Sequence, residues 1–196
     1  MATKHEIAAD DILPMAEYAQ IRGETRRRIA ERKRDRRVMV GPYITFYFEC
    51  YESMWLQIHE MLFIEKGGPE QIPDELHAYN PLVPKGAELV ATFMIEIDEA
   101  ERRRRELAKL GGIEETAFIQ IGSERIAGIA EADQDRTSEE GKASSVQFVH
   151  FPFTPAQIAA FKTPNAHVLL GLSHSNYSHM AVLPEAVRLE LSGDFD

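Results

Sequence analysis

Apolar and polar residues alternate along this chain in two rhythms, and the segments that keep each rhythm mark its elements. The clearest period-two stretch is ITFYFEC. Ile44, Phe46 and Phe48 fall on one face and Thr45, Tyr47 and Glu49 on the other, which predicts a strand over about 43–50. Gly41-Pro42 just ahead of it is a turn signal. The next stretch changes period. Met54, Trp55, Ile58, Met61 and Leu62 recur at helical spacing, and Gly67-Gly68 closes this most amphipathic of the chain's helices. A shorter helix ends at Asn80-Pro81, because proline disfavours the helical conformation of the residue before it.

Strand pattern returns in ELVATFMIEI (about 88–97) and in a hairpin around Gly122-Ser123. It recurs in SVQFVHFPF, where Pro152 ends the strand or places it at an edge, and in AHVLLGLSH. The arginine-rich DEAERRRRELAKLGG is a helix with Asp98 as its cap, acids leading and bases trailing as the macrodipole favours. Thr154 caps a short helix with Pro155 at its first position, and LPEAVRLELSG is a C-terminal helix. ADQDRTSEEGKAS is a polar loop. Hairpins and single helices join the strands without a βαβαβ rhythm. The chain therefore predicts an α+β fold, a mostly antiparallel sheet with helices packed on one face.

The N-terminal stretch follows a different pattern. Asp10 or Asp11 is placed to cap a short segment ending near Arg22, and Gly23 separates it from an arginine-rich helix over about 24–36. In that helix only Ile29 and Ala30 are apolar, and a helix polar nearly all round buries little of itself. Residues 1–37 thus read as a helical segment packed on a single α+β domain, 38–196. The ordinary expectation is that these arginines pair with the protein's own carboxylates. The sharper one is a docking face for an acidic partner or a phosphate, with Arg26, Arg27, Arg32 and Lys33 in contact.

Charge and composition narrow the classes of function. A formal net charge of −10 argues against general binding of nucleic acid or anionic membranes. No apolar stretch approaches the roughly 20 residues of a membrane span, and acids stand where a signal peptide would carry its apolar core. Cys50 is the single cysteine, so an intrachain disulfide and a cysteine-ligated iron–sulfur cluster within the chain are both excluded. The expected location is the cytoplasm, and any cluster used in electron transfer would belong to a partner.

Phosphate loops, HExxH, paired CxxC and GxSxG motifs are absent. Four arrangements remain. His59 lies two helical turns after Glu52, with Glu49 near the same end; a histidine and two carboxylates could hold a divalent metal or act as acid and base. The ordinary alternative is a boundary histidine bonded to a neighbouring acid. Glu96 shares the strand face of Thr92 and Met94, which is solvent-facing if helices cover only the other face. His150 is in phase with Val146 and Phe148, where a satisfied structural histidine is commoner than a ligand. The fourth stretch, LSHSNYSHM, holds His174, Tyr177 and His179 as catalytic candidates, because loops at strand ends often carry function. Here Ser175-Asn176 turns the chain, which takes Tyr177 and His179 out of the register of His174. If Glu52, His59, His150 and His174 converged, they would form a metal site. Cys50 directly follows an aromatic strand, so it is expected to be packed rather than reactive.

The order DDILPMAEYAQIR, RRVMVGPYITFYFEC, EMLFIEK, ELHAYNPLVP, ATFMIEI with ERRRRELAKLGGIE, VQFVHFPFT and LPEAVRLELSGD resembles an uncharacterised bacterial family, a domain of unknown function, over nearly the full length. Members of that family are often encoded beside rubrerythrin-like di-iron proteins and iron–sulfur or flavin oxidoreductases. The resemblance implies a redox or oxidative-stress setting and supplies no catalytic residue. Two functions follow as expectations: an accessory of a di-iron or iron–sulfur system acting through protein contacts, or an enzyme or metal-binding protein with a His/Glu pocket. A homodimer through the aromatic strand edge or the Trp55 helix is a third.

Overall fold

The stripe that begins at Met54 and the alternation that begins at Ile44 pack on opposite sides of one sheet. The computed structural model describes residues 4–131 and 142–196. In chain order its elements are α1 (Met15–Arg34), β1 (Arg37–Val40), β2 (Ile44–Phe48), α2 (Tyr51–Glu65), α3 (Ile72–Tyr79), β3 (Glu88–Ile95), α4 (Ala100–Leu107), β4 (Ala117–Ile121), β5 (Glu124–Ala127), β6 (Ile129–Ala130), β7 (Val146–Pro152), α5 (Pro155–Lys162), β8 (Val168–His174), β9 (Tyr177–Val182) and α6 (Glu185–Leu191). The polar stretch ADQDRTSEEGKAS lies outside the described residues for 132–141.

The α+β, antiparallel expectation holds, with the strands divided between two sheets. One has the order β1-β2-β3-β7-β6 and the other β5-β4-β8-β9, and every pairing within them is antiparallel. Ile44, Phe46 and Phe48 on β2 and Leu89, Ala91 and Phe93 on β3 share a single hydrophobic core with Ala117 and Ile119 on β4 and Val168, Leu170 and Leu172 on β8. Each sheet therefore buries one face against the other. A second cluster forms on the far side of the larger sheet, where Met54, Ile58 and Leu62 of α2 meet Ile7, Leu82, Val83 and Val90, with Phe148 packed against them.

Three elements differ from their sequence patterns. Gly23 does not break the N-terminal helix, which runs unbroken from Met15 to Arg34. A helical glycine costs only about 1 kcal/mol, and no proline follows Gly23 to enforce an ending. Tyr18, Thr25 and Ile29 form its buried stripe, and burial of that stripe against α2 outweighs the cost. The cap of α4 is Glu99 rather than Asp98; its carboxylate accepts from the N–H groups of Glu101 (3.0 Å) and Arg102 (3.1 Å). Past Ser175-Asn176 the chain returns as a full strand, β9, in which His174 pairs with Tyr177 and Leu172 with His179. Thr154 caps α5 as its pattern predicts, accepting from Gln157 N–H at 3.3 Å.

A buried ion cluster ties the end of α1 to the rest of the fold. Arg36, 1% exposed, donates to the carbonyls of Phe48 (3.1 Å) and Glu49 (2.9 Å) and pairs with Glu190 (3.1 Å) and Asp194. Arg32 joins it through Glu190 at 2.6 Å and Glu52 at 2.7 Å. Each guanidinium nitrogen of Arg36 thereby has a partner, which is the condition under which a buried charge is tolerated. Among the described residues no helix is long and apolar enough to cross a membrane.

Candidate functional site

His59 has the most informative surroundings of the candidate histidines. It sits on the buried stripe of α2, fully buried, with its ring 3.8 Å from that of Trp55 and 4.8 Å from that of Tyr18. Nδ1 lies 2.7 Å from the carbonyl of Trp55, and Nε2 accepts the N–H of Leu13 at 3.0 Å. A carbonyl can only accept and an amide N–H can only donate. These two partners therefore place the proton on Nδ1 and leave Nε2 bare, so the ring is neutral. Burial holds its pKa below the ordinary histidine value, while the bond to Trp55 pulls the other way. With both nitrogens committed to main chain, His59 pins the N-terminal segment to α2.

The other candidates are likewise engaged, each in a different place. Glu52 pairs with Arg32, and its carboxyl is held below the usual range despite its partial burial. Glu49 accepts from Ser53 Oγ (2.7 Å) and Thr92 Oγ1 (2.8 Å) in a buried site. His150 meets Glu88 at 3.0 Å on the neighbouring strand. His174 holds a turn: Nδ1 accepts from Asn176 N–H at 3.2 Å, which leaves Nε2 as the donor to the Gly111 carbonyl, also at 3.2 Å. Its neighbours are thus main-chain groups, neither a purely apolar core nor another candidate ligand. Among the described residues no three His, Cys, Asp or Glu side chains are grouped so as to hold a metal ion.

Tyr177 and His179 do come together, as alternate residues on one face of β9, with ring centroids 4.5 Å apart. Tyr43, in the turn between β1 and β2, packs against Tyr177 with ring centroids 4.8 Å apart. Tyr177 donates to the Val40 carbonyl at 2.7 Å, and burial pushes its hydroxyl up to about 12. It therefore holds its proton at neutral pH and fastens the two sheets together. Gly41 (φ +73°) is required beneath this pair, since a Cβ there would lie 2.5 Å from Tyr177 Oη and 2.7 Å from the His179 ring. Cys50 is 5% exposed, and burial raises its thiol pKa even though Arg36 and Arg32 pull it down, so a reactive thiolate is disfavoured. Glu96 stays on the exposed face and accepts from Thr45 Oγ1 and Tyr47 Oη, both at 2.8 Å.

The docking candidates fare differently. Gly23, Arg26, Arg27, Ala30 and Lys33 on α1, with Leu56 on α2, line a shallow groove of about 490 Å³. Arg22 makes two hydrogen bonds to Glu60, both at 2.8 Å, which leaves Arg26 3.8 Å from the same carboxylate. Among the described residues Arg27 and Lys33 have no ion-pair partner. Arg32 lies outside the groove, held by its two carboxylates. The groove thus joins a small apolar floor, Gly23, Ala30 and half-buried Leu56, to a cationic rim. The recurrence of Gly23 and Ala30 two turns apart in an arginine-rich helix was its available sequence signal; nothing local pointed to Leu56. A separate apolar cleft of about 460 Å³, between Ile12–Met15 and Leu62, Gly68, Pro69 and Ile72, has no titratable side chain in its lining.

No curated protein matches this chain. A crystal structure described as a novel protein of unknown function from Burkholderia pseudomallei K96243 is similar to it throughout. That protein is 35% identical, the match covers 97% of this chain and 99% of the other, and the TM-score is 0.89. The family model described as protein of unknown function (DUF3501) matches residues 6–195, and the chain belongs to that family.

Proposed function

We propose that the protein is a cytoplasmic accessory of a di-iron or iron–sulfur redox system, acting through protein contacts by presenting the basic groove of α1 to an acidic partner. The observation that carries this reading is the groove itself: Arg26, Arg27 and Lys33 around an open apolar floor, with Arg27 and Lys33 unpaired among the described residues. On a chain of net charge −10, an acidic partner is repelled by most of the surface and drawn to this face. The redox identity of the partner rests on the setting that the family resemblance implies.

A tagged full-length chain should retain a rubrerythrin-like or iron–sulfur protein at low salt, identified by mass spectrometry and by its iron content. Deletion of the gene should lower peroxide tolerance. Recovery of no iron protein, together with unchanged tolerance, contradicts the proposal.

A further inference from the structure

The groove has a shape as well as a charge, and the shape restricts what can lie in it. Gly23 has no atom within 4 Å of the point where its Cβ would stand, so that end is open space. Ala30, seven residues on, is exposed and adds only a methyl group, and Leu56 of α2 lines the same groove. At 1.5 Å per residue Arg26 or Arg27 and Lys33 are about 10 Å apart along the helix with Ala30 between them, which leaves room there for a single large side chain against Ala30 and Leu56. Cations line the same groove: Arg26 and Arg27 stand one turn beyond Gly23, and Lys33 one turn beyond Ala30. They are spread over about 10 Å and do not converge on a point, which suits separate carboxylates better than one phosphate.

Taking the docking reading above as its basis, we infer that the groove receives an acidic amphipathic helix of the partner. One leucine-sized side chain of that helix lies on Leu56, and carboxylates six or seven residues apart flank it to meet Arg26 or Arg27 at one end and Lys33 at the other. This is recognition of a helix in a groove, with acids six or seven residues apart and a large apolar residue three or four residues from each. The small residues admit the incoming backbone, the apolar contact anchors it, and the cations set its register.

The test separates anchor from charge. A displayed library of helical peptides is selected against the full-length chain, and the enriched peptides are measured against three variants that fold as judged by circular dichroism. Arg27→Glu with Lys33→Glu reverses the rim. Ala30→Trp fills the floor at unchanged charge, and Gly23→Leu fills its other end. The inference expects peptides with the stated spacing and a loss of at least about tenfold in affinity for the charge reversal and for either filled floor. Peptides that lose affinity on charge reversal but tolerate both Ala30→Trp and Gly23→Leu overturn the anchored helix and leave the docking reading standing. No enrichment, or peptides indifferent to all three variants, overturns both.

Discussion

Replacing His59 with glutamine isolates the contribution of one neutral imidazole. In the native protein the ring bears its proton on Nδ1 for the Trp55 carbonyl and accepts the Leu13 amide at Nε2, so a second proton would break the Leu13 bond. The folded pKa is lowered, whereas in the unfolded chain it returns to about 6.5. For a histidine lowered in this way, the contribution to stability is complete above the unfolded value. It is lost as pH falls below that value, because the unfolded state then binds a proton that the folded state refuses. Between pH 7.5 and 5.5 that term reaches at most about 1.4 kcal/mol, or roughly 3–5 °C in Tm for a chain of this length. The carboxyls of Glu60 and Asp11, also lowered, lose their contributions only further into acid and stay ionised across this window. Denaturant melts of wild type and His59→Gln at both pH values give the double difference. Wild type should lose stability toward pH 5.5 and the variant markedly less. At pH 7.5 the variant should already be about 1–3 kcal/mol weaker, through lost stacking on Trp55 and Tyr18 and a lost hydrogen bond. An identical pH dependence in both proteins would refute the neutral, doubly bonded histidine.

Gly23→Ala should raise stability by about 0.5–1 kcal/mol in urea melts, since the position is helical, exposed and open; a destabilised variant would mean that the helix is interrupted there. Arg36→Ala should cost about 3–5 kcal/mol because it strands Asp194 in a buried site, and pairing a methionine at 36 with a leucine at 194 should recover much of that loss. Cys50 should react with a thiol reagent at pH 7.5 only as fast as the protein opens; rapid stoichiometric labelling of the folded chain would contradict its burial and raised pKa.

Face assignments were largely legible along the chain, because side-chain direction in a strand or helix follows from spacing alone. Ile44, Phe46 and Phe48 point inward, and His150 shares a face with Val146 and Phe148, as phase requires. Pairing was less legible. Nothing in β4 or β8 announces that they leave the larger sheet, since both sheets are built from the same alternation and contribute to one core. The short strand Arg37–Val40 is too brief to show a period beside an arginine-rich helix, and the polar residues Ser178 and His179 obscure the alternation of β9. Within the candidate sites, the limit was partners far away in sequence. His59 is completed by Leu13 and Arg32 by Glu190, and neither spacing nor composition carries that information. Main-chain groups, which any residue supplies, complete both His59 and His174. For that reason a histidine's role is hard to infer from its neighbours in the chain.

The central claim is that the basic groove of α1 is a protein-docking face, and the salt dependence of association addresses it most directly. Calorimetric titration of the full chain with a purified rubrerythrin-like protein, between about 25 and 200 mM salt, compares wild type with the Arg27→Glu/Lys33→Glu variant. The predicted result is affinity that falls as salt rises and drops at least about tenfold in the variant at the lowest salt. Binding that ignores both salt and the charge reversal, or no binding at the lowest salt, would contradict the claim.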